Sequence, residues 1–214
     1  MKLKNLLISI APPAFIVAFR FLTRNINYLI FKRNIKGLSR LHLTCGNNIL
    51  EGWVNVDYSN KRNVVVWDLT DIPLPVADCS INYIFLEHFI EHINVSDAEA
   101  LLKDCCRVLT RGGVIRISTP NLRKLISEYE LGSTGEWLDV GWKPNTPCQM
   151  INEGFRLWGH QYIYDIEELH EMLNRSGFNA IKEVKWRESE VVALKDLECR
   201  PFHGEIIVEA SKAK

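Results

Sequence analysis

The segment Leu41-His42-Leu43-Thr44-Cys45-Gly46-Asn47, followed by Val54-Asn55-Val56-Asp57, constrains the fold most. A short apolar run leads into a glycine turn, and a second apolar run ends on a carboxylate. In an open α/β sheet such a turn lets backbone approach a ligand. An acid at the end of the next strand can accept hydrogen bonds from two ribose hydroxyls. The pattern points to a nucleoside-type cofactor.

The remaining text extends this beginning. Asn63–Trp67 is β-branched, ends at Asp68 and suits a third strand; Ile81–Leu86, after the turn-forming Asp78-Cys79-Ser80, suits a fourth. Ser96 or Asp97 is placed to cap a helix to Leu109, with Ala98, Leu101, Leu102, Cys105 and Val108 at helical spacing. Arg111-Gly112-Gly113 reads as its stop and Val114–Ser118 as a fifth strand. Thr119-Pro120-Asn121 opens another helix to about Leu131, and residues 132–147 read as a loop or lid. Asp165 caps a helix to Asn174, closed by Gly177; Phe178–Lys185 and Glu205–Glu209 are the last strands.

Helices interleaved with buried strands predict an α/β fold, a doubly wound and mostly parallel sheet that binds ligands at the carboxyl ends of its strands. Gly46 to Trp53 leaves about eight residues between the first two strands. A parallel crossover takes ~10–12 or more. The first crossover is therefore shortened, its usual helix very short or missing, and N-terminal helices are placed to cover the gap.

The 214 residues suit one such domain over residues 37–214, preceded by a helical extension over residues 1–36. Net charge is zero, yet Lys2, Lys4, Arg20, Arg24, Lys32, Arg33, Lys36 and Arg40 meet no Asp or Glu within residues 1–40. The domain itself is therefore acidic, which argues against a nucleic-acid reader. Leu6–Leu22 is apolar but shorter than the ~20 residues of a membrane span. It is also broken by Pro12-Pro13 and carries Arg20, and no small-residue cleavage site follows it. Apolar helix faces with cationic flanks suit either an anionic membrane surface or packing on the domain. The six cysteines form no CxxC pair, and adjacent Cys105-Cys106 is poor disulfide geometry, so reduced thiols and a cytoplasmic setting at or near the inner membrane face are expected.

The ordered motifs resemble class I S-adenosylmethionine-dependent methyltransferases. They are most similar to a small bacterial and archaeal group whose members often lie near surface-polysaccharide biosynthesis. The matching text is Leu41–Gly46, Gly52–Asp57, Trp67-Asp68-Leu69-Thr70, Ile72–Pro75, Glu87–His92, Arg107–Gly113, Trp158–Gln161 with Tyr164-Asp165, and Ser176-Gly177-Phe178. The resemblance implies S-adenosyl-L-methionine as cofactor. Thr44, Cys45 and Gly46 would face its methionine end, Asp57 its ribose, and Asp68 with Leu69 its adenine. Glu87 and His88 would border the transfer site. The group usually has glycine where this chain has Thr44.

His88 and His92 stand four apart, as in zinc helices, but Glu91 sits at the wrong offset for that signature. No metal is expected. His160, beside Gly159 and Trp158, is either a core histidine or a general base over the substrate; a hydroxyl acceptor needs a proton removed, and His160 or His88 could take it. Trp137, Trp142, Trp158, Tyr162 and Tyr164 suit sugar stacking and core packing equally. The expected activity is methyl transfer to a small-molecule or glycan-precursor acceptor, at oxygen. The competing reading is a catalytically degenerate cofactor-binding scaffold, which Thr44 favours.

Overall fold

The computed structural model describes residues 13–213, with side chains from residue 23. Its seven strands form one sheet in the order β3-β2-β1-β4-β5-β7-β6. They are β1 (Arg40–Leu43), β2 (Val54–Asp57), β3 (Val65–Val66), β4 (Ile81–Glu87), β5 (Leu109–Thr119), β6 (Phe178–Glu183) and β7 (Ile206–Lys212). Strands β1 to β5 run parallel, and β7 pairs antiparallel with β5 and β6. Because β7 is reversed, its start at Ile206 lies at the sheet end where β4 and β5 finish. The expected doubly wound sheet is the one observed.

Five helices flank it among the described residues: α1 (Pro13–Asn34), α2 (Val95–Val108), α3 (Leu122–Glu130), α4 (Pro147–Arg156) and α5 (Ile166–Arg175). The cap of α2 is Asn94, whose side chain accepts from the Asp97 amide at 2.9 Å, and not Ser96 or Asp97. Gly112-Gly113 does not stop that helix. The chain turns extended at Leu109, and the glycines sit inside β5, where Ile81 pairs with Leu109 but Tyr83 pairs with Val114. The surplus residues form a bulge, and Gly112 supplies its positive φ of 72°. Helix α4 falls where sequence periodicity gave no signal. Thr146 caps it, Pro147 opens it, and Gly154 lets Leu125 of α3 approach closely.

No helix joins β1 to β2, as their short separation requires. Asn55 organises the connection: its side chain accepts from the Leu50 amide at 2.9 Å and donates to the Leu50 and Trp53 carbonyls. Residues 1–12 lie outside the described residues. Helix α1 packs against β3 through Phe31, fully buried and edge-on to Trp67 at 6.0 Å, and through an Arg24–Asp71 ion pair of 2.6 Å. The described part of the extension thus shares the domain core. Among the described residues no helix is long and apolar enough to cross a membrane.

The other sheet face is covered near Trp53 and Phe85 by Leu194, at the end of a single 3-10 turn, and Leu197 rather than by an α-helix. Arg116, wholly buried, anchors that segment to the sheet. It pairs at 2.6 Å with both Glu198 and Glu209 and donates to the Glu188 carbonyl. Losing one partner would leave a buried charge uncompensated.

His42 on β1 is buried, packs against Phe85 at 5.0 Å between ring centres with the rings tilted by 31°, and lies 3.1 Å from Asn55 Oδ1. Burial pulls its pKa down to about 4 despite the Asn55 bond and the Asp57 charge. The unfolded chain takes up this proton near its ordinary value of about 6.5 while the native state does not. Stability from this group is therefore complete above that value and falls by about 3 kcal/mol as pH drops to about 4. Urea unfolding at pH 7 and pH 4.5 should show this slope in the native chain and a shallower one in His42→Gln. Equal slopes would contradict it.

Candidate active site

Two neighbouring groups of residues lie at the carboxyl ends of the strands. The first is built from the tips of β1, β2 and β3. Thr44 adopts a positive φ of 57°, unusual for a β-branched residue, and its hydroxyl turns back onto the Leu43 carbonyl at 2.6 Å. It thus satisfies itself on its own strand. The Cys45 amide donates to the Val56 carbonyl at 3.0 Å, and the Gly46 amide to Asp57 Oδ2 at 2.9 Å. The space that a Cβ on Gly46 would occupy is open.

Asp57 Oδ1 accepts from the Ser59 amide at 2.8 Å and from its hydroxyl. Burial opposes ionisation of Asp57, but the bonds from Ser59 and Gly46 and the Lys61 charge outweigh it and hold the carboxyl below its ordinary value. The Trp67 amide donates to the Asp57 carbonyl at 3.0 Å, bringing Asp68 and Leu69 to the next strand end. Leu69 is buried, whereas Asp68 is exposed with Oδ1 held by Thr70. Burial and the Asp57 charge push the Cys45 thiol up to about 11, so it stays protonated and is no nucleophile. Lys61, which sequence reasoning did not single out, bridges the Gly46 carbonyl at 2.8 Å and Asn47. An open glycine turn, a held carboxylate and an exposed carboxylate on consecutive strand tips fit an amino-acid tail, a ribose and a purine.

The second group lines a cavity of about 360 Å³ between the ends of β4 and β5, the start of β7 and the 137–160 segment. His88, His92, His160 and His203 line it with Trp137, Trp158 and Arg200. Trp158 and His203 lie parallel to Trp137, at 5.8 and 4.7 Å between ring centres, and Asp139 holds His203 at 2.8 Å. Of the other aromatics, Tyr164 is fully buried core, while Trp142 packs with Leu125, Met150 and Ile163 in a smaller cluster of its own.

Glu87 ends β4, and its carboxylate accepts from Cys199 Sγ at 3.2 Å and from the Cys199 and Arg200 amides at 3.4 Å. It therefore draws the carboxy-terminal segment over the strand end. His88 follows at a positive φ of 50° with Nδ1 3.2 Å from Glu91 and Nε2 3.6 Å from Glu205. Burial opposes its charge, but the two carboxylates raise its pKa to about 9. His92 is held below its ordinary value by burial and by neighbouring positive groups, against the pull of Glu91. His160 Nδ1 lies 2.8 Å from the Gly154 carbonyl. A carbonyl only accepts, so Nδ1 carries a proton, and in the neutral ring the lone pair is on Nε2. Local sequence gave no sign of Arg200, His203 and Glu205, because only the reversed β7 brings them to this end of the sheet.

Comparison with known proteins agrees with this geometry. Residues 40–117 match the family model described as a methyltransferase domain. Among curated protein sequences, none matches the chain. Among solved structures, the chain is similar to an S-adenosylmethionine-dependent methyltransferase from Archaeoglobus fulgidus, with 18% identity, a TM-score of 0.51, and 94% of this chain and 100% of that one covered. A second, from Mesorhizobium loti, shares 16% identity at a TM-score of 0.51, covering 82% and 91%. A Haemonchus contortus phosphoethanolamine N-methyltransferase, solved with phosphomonomethylethanolamine and S-adenosylhomocysteine, shares 15% at a TM-score of 0.51, covering 89% of this chain and 53% of its own length. These likenesses show the fold, and the family match places the domain within it. Residues 40–117, which carry β1 to β5, are thus the part of the chain that matches a methyltransferase domain.

Proposed function

We propose that the enzyme methylates an oxygen of a small molecule or glycan precursor held in the aromatic, histidine-lined cavity. The observation that carries this reading is the convergence of the parallel Trp137–Trp158 pair with His160, whose Nδ1 is held by the Gly154 carbonyl, on one cavity. Flat aromatic faces suit sugar rings, and a lone pair beside them suits a hydroxyl that must lose a proton. When bound, S-adenosylmethionine supplies an already activated methyl group, so alignment and water exclusion are left to the protein.

In this reading Asp57 holds the ribose diol, the Thr44–Gly46 turn meets the amino-acid tail, and Asp68 with Leu69 meets adenine. Glu87 fixes the wall between the two groups. His88, at the same strand end, stands between Glu91 and Glu205 and orients the cavity floor. His160 accepts the acceptor proton.

The first test is the cofactor site. Asp57→Ala should weaken S-adenosylhomocysteine binding about 100-fold, the loss of charge-assisted bonds to a carboxylate. Calorimetry measures this directly, and unchanged affinity would remove Asp57 from the site. The second test is the acceptor cavity. With a sugar-bearing acceptor found by methyl-donor consumption across a panel, Trp158→Ala should raise the acceptor KM about tenfold and leave cofactor affinity unchanged. An unaltered KM would show that the acceptor lies elsewhere.

We further propose peripheral contact of the extension with an anionic membrane. Supporting this, Ile26, Leu29 and Ile30 are exposed on one face of α1, opposite Phe31, and Lys32, Arg33 and Lys36 follow them. Co-sedimentation with phosphatidylglycerol vesicles should fall about tenfold in the Leu29→Glu, Ile30→Glu double variant. Equal sedimentation of the two proteins, or none of either, would contradict contact through this face.

A further inference from the structure

We propose that Glu91, His92 and His160 form a binding site for a first-row divalent transition-metal ion on the wall of the acceptor cavity. One candidate ligand atom from each residue lies within 4.8 Å of the others, and His92 and His160 both line the cavity. Glu91 is fully buried. Its Oε2 is taken by the Thr119 hydroxyl at 3.0 Å, while Oε1 has no aligned hydrogen bond and lies 3.2 Å from His88 Nδ1 on one side, leaving its other side toward His92. A carboxylate oxygen has more than one lone pair, so Oε1 can face His88 and still reach a cation held by the two other histidines. Oε1 lies 3.8 Å from His92 Nε2.

The imidazoles are held as metal ligands are held. His160 donates Nδ1–H to a backbone carbonyl, which fixes the tautomer and turns Nε2 outward as a donor to a cation. The His92 ring lies 4.9 Å from that of His160 between centroids. Backbone bonds clamp the two segments together without any ion. The Glu91 carbonyl accepts from the Gln161 and Tyr162 amides, and the His92 carbonyl from the Gln161 side chain at 2.7 Å. Ligands around a cation at bond lengths of about 2.1 Å stand about 3–4 Å apart. Small side-chain rotations therefore close the set.

Two imidazoles and one carboxylate favour zinc, manganese, iron, cobalt or nickel over calcium or magnesium. Three protein ligands leave positions open toward the cavity, where an acceptor hydroxyl could be held and made more acidic. That use rests on the acceptor reading above, whereas the site itself does not. With an ion bound, His160 serves as a ligand and the acidified hydroxyl no longer needs it as a base.

The test uses the full chain, stripped with a chelator and titrated with cobalt(II). Binding should saturate at about one equivalent with visible absorption from imidazole ligation. Zinc(II) should displace it, with calorimetry giving a micromolar or tighter Kd. His160→Gln and His92→Gln should each weaken binding at least about tenfold, as losing a ligand must when losing a mere supporting contact costs 10–100-fold. His170→Gln on α5 should leave it unchanged. Glu91→Gln risks the core, so the histidine variants carry the test, with thermal unfolding confirming that they fold. No saturable binding, or binding indifferent to both histidines, would overturn the site. If metal fails to bind while Trp158→Ala still raises the acceptor KM, the metal alone is lost. If metal binds and Trp158→Ala leaves that KM unaltered, the acceptor reading alone is lost.

Discussion

A single buried carboxylate, that of Glu91, holds the reaction end of this molecule together. Its backbone carbonyl receives two amides from the segment at Gln161 and Tyr162, one side-chain oxygen receives the Thr119 hydroxyl from the end of β5, and the other faces His88 and His92. Three chain segments distant in sequence therefore meet on one residue. A carboxylate wholly removed from water persists only where such partners surround it. The cavity histidines His88 and His92 sit beside that meeting point.

The cofactor end relies on a different economy of structure. The usual helix after β1 is missing, so side-chain bonds hold the turn. Asp57 takes the Gly46 amide, and Asn55 pins Leu50 and Trp53. Coverage of the sheet is supplied from outside the usual crossover: α1 brings Phe31 over β3, and the Arg116 ion cluster fixes the segment carrying Leu194 and Leu197 over the opposite face. The same segment continues to Cys199 and Arg200, whose amides reach Glu87. The shortened crossover and the carboxy-terminal wall of the cavity are thus parts of one arrangement.

What sequence could convey follows from this. The strand tips and their acids were legible because short apolar runs ending in Gly46, Asp57 and Asp68 carry a local signature. The bulge at Gly112-Gly113 was misread as a helix stop, since a glycine pair after a helical stretch signals a stop unless the pairing of β4 with β5 is known. Asn94 was missed as a cap because Ser96 and Asp97 are equally good cap residues nearby. Helix α4 escaped notice because its buried face is only Met150 and Gly154, the latter serving close helix contact rather than apolar periodicity. The cavity was half visible. His88 and His160 lie within recognisable motifs, but Arg200, His203 and Glu205 join them only through the reversed β7. The Glu91–His92 pair gained its third member, His160, only in three dimensions.

The central claim is that the two groups form one reaction path, with the donor on the β1–β3 tips and the acceptor beyond β4. A crystal structure with S-adenosylhomocysteine bound tests it most directly. The account predicts the ribose hydroxyls on Asp57, the adenine beside Asp68, and the sulfur pointing past Glu87 into the cavity lined by His160 and Trp158. A nucleoside seated elsewhere, or a sulfur directed away from that cavity, would contradict it.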